Sequence, residues 1–218
     1  MTEPSTFEST ALRGDSDSEA RLTQAERTEI SDQKMFEATV KLVVEKGPAA
    51  TSLSEVGVLA GYSRGLAGHR FGSKDNLYSF VLRRLGEIWV QQLSEVTDGH
   101  TGLRAIEKTL DQHYQFCVDA PDYVSTFYML WFESVNIESE LNRAICNIHK
   151  RRHDDIVKWI VESDDINDET KSNADSIASF FCASALGIIY YWLNDTSDLK
   201  QAKVLHDGLK QAMVQYLS

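Results

Sequence analysis

Residues 51–75 read TSLSEVGVLAGYSRGLAGHRFGSKD, and the fold is decided there. Thr51 and Ser52 are helix-capping types, and Ser52 with Glu55 makes an S-x-x-E capping box. Leu53, Val56 and Ala60 recur at helical spacing and give a short helix one apolar side. Gly61 ends it, since glycine takes the left-handed backbone that other residues resist. Ser63 is expected to cap a second short helix, Arg64 to Phe71, with Arg64, His69 and Arg70 facing outward. Ser73 caps the next helix, with Lys74 in its first turn. A capped helix, a glycine corner and a short basic helix predict a helix-turn-helix, whose second helix lies in the major groove of DNA.

Two features of that second helix point to an anionic partner. Gly65 and Gly68 cost it roughly 2 kcal/mol relative to alanine, and close approach to a phosphate backbone would account for them. From Gly61 to Arg84 five basic residues (Arg64, Arg70, Lys74, Arg83, Arg84) face one acid, Asp75, in a chain of net charge -11. Such a basic island on an acidic protein is the footprint expected of an anionic partner, and the resemblance below implies that partner to be double-stranded operator DNA.

Residues 28 to 80 resemble the N-terminal DNA-binding domain of the TetR family of bacterial transcriptional regulators. The resemblance rests on Glu45-Lys46-Gly47, Thr51-Ser52, Ala60-Gly61-Tyr62-Ser63, Phe71 and Ser73-Lys74 at their joint spacing. Two positions depart from the family pattern. Ala67-Gly68 replaces a bulky aliphatic residue and a tyrosine that commonly touches a phosphate, and Arg70 stands where histidine is frequent. The residues placed at DNA are Thr51, Ser52, Ser63, Arg64, Gly65, Leu66, His69, Arg70 and Lys74. Arg64 and Arg70 are the long donors suited to guanine, and Lys74 to a phosphate at a helix start.

Outward from this head, the chain reads as all-α. Of 218 residues, 42% are hydrophobic and 25% charged, the balance of an ordinary globular chain, and only three are proline. The cysteines Cys117, Cys146 and Cys182 are odd in number and far apart, which suits reduced thiols in a cytoplasm. There is no basic start followed by an apolar run, so no signal peptide is expected. The longest apolar stretch, Ile177 to Leu193, is broken by Ser179, Ser184 and Gly187, and reads as a buried bundle helix rather than a membrane span.

Residues 1–27 hold six acids, three arginines and few apolar residues, and are expected to form a disordered arm. Residues 28–75 form the head, with a first helix from Glu29 to Lys46 whose core face is Phe36, Val40, Val43 and Val44. Residues 76–218 form a six-helix regulatory domain. A long helix runs from Ser73 to Glu95, which the resemblance implies is a connector, then helices follow over residues 103–119, 122–135, 137–163, 173–193 and 198–217. The last two carry apolar residues on more than one side, Cys182, Leu186, Ile189 and Tyr190 among them, which predicts a homodimer.

Other chemistry is weaker. Cys146, His149 and His153 share one helix face and His113 pairs with Cys117, but no fourth ligand is fixed, so no metal or cofactor is assigned. No nucleophile elbow, phosphate loop or HExxH occurs, and the chain is not read as an enzyme. The aromatic residues near 116–132 are core by the plain reading. The resemblance implies instead a cavity for a small effector between the second-domain helices. Its expected lining is His113, Phe116, Phe127, Tyr128, Trp131 and Phe180, for a neutral or weakly polar hydrophobic molecule. The expected function is a ligand-responsive repressor. The rival is a helical protein-interaction module whose head, altered at Ala67-Gly68, no longer binds DNA.

Overall fold

The computed structural model describes residues 23–135 and 138–218, and among them the chain is entirely helical and strand-free. Four helices build the head: α1 (Gln24–Ala50), α2 (Leu53–Leu59), α3 (Leu66–Phe71) and the N-terminal half of α4 (Lys74–Thr97). Beyond it come α5 (Gly102–Asp119), α6 (Pro121–Glu133), α7 (Glu140–Glu162), α8 (Asp168–Ser172), α9 (Ala174–Trp192) and α10 (Leu199–Leu217).

Local chemistry sets most boundaries. The α2 capping box forms as expected, Ser52 Oγ accepting from Glu55 N at 3.3 Å while Glu55 accepts from Ser52 N at 3.1 Å. Ser73 Oγ caps α4 through Asn76 N at 3.1 Å. The first helix begins earlier than expected, because Thr23 and Glu26 form a second capping box. Residues 23–27 of the expected arm therefore open α1, while residues 1–22 lie outside the described residues. Gly47, at φ 83°, interrupts α1, and Pro48–Ala50 add a last turn. Carbonyls there are taken by Lys74 Nζ (2.9 and 3.1 Å) and Tyr78 Oη (2.6 Å), so the start of α4 closes the end of α1. The acidic segment at 164–168 continues into the one-turn helix α8, capped by Asn167.

Packing follows the apolar stripes. Phe36, Val40 and Val43 of α1 meet Val56 of α2, Ala67 of α3, and Leu77 and Val81 of α4 in one buried cluster that runs on into Phe116, Tyr128 and Trp131. Val44, expected on this face, is exposed. A second cluster joins α5, α7, α9 and α10 through Leu110, Ile156, Ile160, Phe181 and Met213. Each such side chain is worth ~1.5–3 kcal/mol of burial. Helix α9 is long and apolar enough to cross a membrane by length and composition, yet it packs between α7 and α10 with Ala178, Phe181 and Cys182 buried.

The glycines of the head divide unexpectedly. Gly61 takes φ 83° at the corner, as the reading of residues 51–75 requires. Gly65 and Gly68, expected to mark a close approach, have open space where a Cβ would stand. The crowded position is Gly57, where a Cβ would lie 2.7 Å from the Ser63 carbonyl oxygen. This glycine lets α2 fold back against its own turn, and Tyr62 N donates to Gly57 O there at 2.9 Å. Gly57→Ala is expected to cost about 1–3 kcal/mol in urea unfolding, as overpacking does. Gly68→Ala, inside α3, should leave stability unchanged or raise it by up to about 1 kcal/mol.

Candidate nucleic-acid interface and effector cavity

The outer face of the head is smaller than the sequence suggests. Helix α3 starts at Leu66, with Gly65 at its N-cap and no side-chain cap, so Ser63 does not play its expected role and Arg64 sits in the turn before the helix. Ser63, Arg64, Gly65 and His69 are exposed together on the turn and the adjoining side of α3. The other expected contacts are committed elsewhere. Thr51 is buried, its hydroxyl donating to Gly47 O at 3.0 Å. Leu66 packs against the head core. Ser52 is exposed but turned toward Glu55 by its cap. Lys74 Nζ is held by the α1 carbonyls.

Arg70 is held within the chain. Its Nε and Nη2 donate to the two carboxylate oxygens of Asp32 at 2.9 and 2.6 Å, a two-pronged pair that straps α3 to α1. A fork–fork pair uses the planar geometry that guanine readout would need. The Asp32 side chain is only 12% exposed, so removing Arg70 would strand a largely buried carboxylate. Arg84 is likewise paired, to Glu29 at 2.9 Å. Of the five basic residues counted in the sequence, Arg64 alone is an exposed, uncommitted cation on the α3 face.

The second site is a cavity of about 640 Å³ enclosed by α4, α5, α6, α7 and α9. Its volume suits a drug-sized molecule. The wall holds Trp89 of α4, His113 and Phe116 of α5, Phe127 and Tyr128 of α6, and Trp159 of α7. Exposed Arg83, Glu87 and Gln91 of α4 and Asn147 and Arg151 of α7 mark its mouth. Four of the six expected lining residues are there: His113, Phe116, Phe127 and Tyr128. Two are not. Trp131 is buried behind Tyr128, their rings stacked at 5.9 Å, and Phe180 lies 37% exposed on α9 against Tyr216.

A hydrogen-bonded chain crosses the inner wall, and its direction is fixed. The Ala202 carbonyl can only accept, so His206 Nδ1 carries the proton between them at 2.7 Å. Neutral His206 then offers Nε2 as an acceptor, which His113 Nδ1–H fills at 2.9 Å. His113 Nε2 accepts from Tyr128 Oη at 3.1 Å, and that oxygen accepts from Arg152 Nη2 at 3.2 Å. Burial holds both histidines below their ordinary value, His113 well below, with the Arg152 charge adding to the shift at His113.

Sequence reasoning missed Arg152 and His206, although a signal existed. Arg152 falls on the apolar stripe Ile145, Ile148, Ile156, Trp159, and His206 on the stripe Ala202, Leu209, Met213. Among the described residues no group of three or more His, Cys, Asp or Glu is arranged to hold a metal ion; Cys146 is exposed beside Asn142, and His153 faces Asp175 and Ser179.

The histidine pair makes stability depend on pH with a definite sign. Below about 6.5 the unfolded histidines bind protons that the buried pair cannot, so stability is full above that pH and falls below it. The surrounding charges are Arg152 of α7, Lys203, Asp207 and Lys210 of α10, and Asp111 of α5. Urea unfolding between about pH 7 and pH 5 should show a loss approaching about 1.4 kcal/mol per pH unit for His113 and a shallower one for His206, with His206→Gln flattening the slope. An unchanged slope in that variant would assign the effect to other groups.

Comparison with known proteins places this architecture. Residues 36–79 match the family described as bacterial regulatory proteins, tetR family. An HTH-type transcriptional repressor of Mycobacterium tuberculosis and an HTH-type transcriptional regulator of Mycobacterium bovis are each 33% identical over 79 residues, 36% of this chain and 40% of theirs. The chain thus matches less than half the length of these curated relatives. Among solved structures, a transcriptional regulator from Rhodococcus sp. superposes with a TM-score of 0.74 at 20% identity over 86% of this chain and 96% of that one. A TetR transcriptional regulator from Chloroflexus aurantiacus gives 0.72 at 16% identity over 87% and 96%. These structures share the fold over most of the chain, and residues 36–79 are similar in sequence to the tetR family of bacterial regulatory proteins.

Proposed function

We propose that this protein is a homodimeric, cytoplasmic repressor that binds operator DNA through its two heads and is released by a small, largely hydrophobic effector. The observation that carries the reading is the course of α4. Its N-terminus closes the head on Pro48 and Ala49, and one continuous helix later its residues Leu82, Leu85, Gly86 and Trp89 line the cavity. A second link runs through α6. Its Phe127 and Tyr128 line the cavity, while its Tyr123 donates to Glu37 of α1 at 2.9 Å and packs edge-on against Phe36. A ligand that prefers one position of α4 and α6 therefore biases where the head stands.

The exposed apolar residues of α9 and α10 support the dimer. Cys182 and Ile189, expected as surplus, are buried within the chain. Phe180, Tyr190 and Tyr191 of α9 with Val204, Val214 and Tyr216 of α10 remain exposed, and Gly187 and Gly208 beside them leave room for a second copy to come close. One head spans only a few base pairs, so a specific site needs two at a fixed separation.

Two measurements test this. In binding to duplex DNA from around the protein's own gene, Arg64→Ala should cost about 1–3 kcal/mol without changing the melting temperature. Arg70→Ala and Asp32→Ala should instead lower the melting temperature and weaken all duplexes alike, because both loosen α3. Equal operator affinity for wild type and Arg64→Ala would overturn the interface. In analytical ultracentrifugation the wild type should sediment as a dimer at micromolar concentration and Val204→Asp as a monomer with weakened DNA binding. A wild-type monomer that binds DNA fully would refute the dimer.

A further inference from the structure

Arg152 is out of place in a cavity built for a neutral molecule. It sits in the middle of α7, walled in by Tyr128, Trp131 and His149, with its guanidinium 5.6 Å from the Trp131 ring centroid. Among the described residues no carboxylate lies within 4.0 Å of it, although nine other Lys and Arg side chains are ion-paired. A guanidinium has five N–H donors, and one is used, on Tyr128 Oη. The remaining donors are not sealed in protein, because among the described residues Ser79 Oγ is the one buried polar side-chain atom lacking a partner. The side chain is enclosed by protein yet keeps accessible surface, and that surface belongs to the cavity wall.

Nearby groups leave this charge uncompensated. The other cations of the wall, Arg83 and Arg151, stand exposed at the mouth with Glu87. Asp155 is the one acid of the inner wall, and burial raises its pKa. Most of the lining is hydrocarbon and aromatic ring, a medium in which a fixed charge acts strongly.

We propose that the effector is an amphipathic monocarboxylate. Its carboxylate is held by the Arg152 fork beside Tyr128 Oη, and its apolar body lies against Trp89, Phe116, Phe127 and Trp159. This rests on the reading of the cavity as an effector site, and replaces the expectation of a neutral ligand. The chain's overall negative charge does not decide the matter, because surface charges are screened by solvent while Arg152 is local and enclosed. A planar two-oxygen anion matches the guanidinium geometry; an alcohol or ester of the same skeleton leaves the charge unmatched.

The test uses the full-length protein with decanoate, decan-1-ol and methyl decanoate, and with biphenyl-4-carboxylate against biphenyl-4-methanol. Binding is read by calorimetry and by emission from Trp89 and Trp159. In at least one skeleton the acid should bind wild type about tenfold or more tighter than its neutral partners, the scale of one charge-assisted pair. Arg152→Gln should erase that preference while leaving alcohol binding unchanged, and Arg152→Lys should keep part of it. Circular-dichroism melts without ligand establish that each variant is folded; should Arg152→Gln fail, Arg152→Lys and Tyr128→Phe must each narrow the preference. Neutral compounds binding as tightly as the acids would overturn the carboxylate while leaving the cavity an effector site. Binding of neither kind would overturn both. An acid preference that survives Arg152→Gln would overturn the assignment to Arg152.

Discussion

The inner wall of the cavity depends on a run of hydrogen bonds that has only one consistent direction. Starting from a backbone carbonyl on α10, each acceptor fixes the proton position of the next group, through His206, His113 and Tyr128, to a guanidinium on α7. Four helices meet in that run, and none of its four side chains can be satisfied alone in such apolar surroundings. The cavity can exist inside a packed bundle because its polar wall is saturated on one side and open on the other. Neutral histidines are a condition of that arrangement, and burial supplies it.

Two helices, α6 and α4, reach from the cavity to the head. Helix α6 presents Phe127 and Tyr128 to the cavity, and on its other flank Tyr123 and Thr126 rest on α1. Helix α4 reaches from the carbonyls that end α1 to the tryptophan that lines the cavity. Two helices thus touch both places. The head responds as a unit because Asp32–Arg70, Glu29–Arg84 and the Lys74 contacts bind its helices to one another.

What was legible in the sequence was local. The Ser52–Glu55 box, the Gly61 corner and the Ser73 cap operate over three or four residues, and each stands where the sequence puts it. Helix stripes gave the core, because amphipathic spacing is itself a statement about burial. The expected site residues that the structure engages elsewhere do so through distant partners. Arg70 looked like a base reader until Asp32, 38 positions away, took both of its prongs. Lys74 was claimed by carbonyls 25 and 26 positions earlier. Phe180 and Trp131 lie on the predicted helices but face away from the cavity, because rotation about a helix axis is set by tertiary packing. Arg152 and His206 were visible as polar residues on apolar stripes, a pattern easily read as noise within a basic run such as Lys150-Arg151-Arg152.

The fork between Arg70 and Asp32 also limits how this protein can diverge. Helix α3 has six residues; one of them is spent on the strap, and Ala67 is spent on the core. Under the proposed function, any lineage that shifts to a new DNA target has little vocabulary left on this helix. Novelty must come from the turn ahead of it, at Ser63, Arg64 and Gly65, and from His69. A loop tolerates substitution without disturbing the packed helices around it. Target preference in this head should therefore drift quickly in the turn and slowly in the helix, the reverse of what a reading of α3 as a free recognition surface would lead an engineer to randomise.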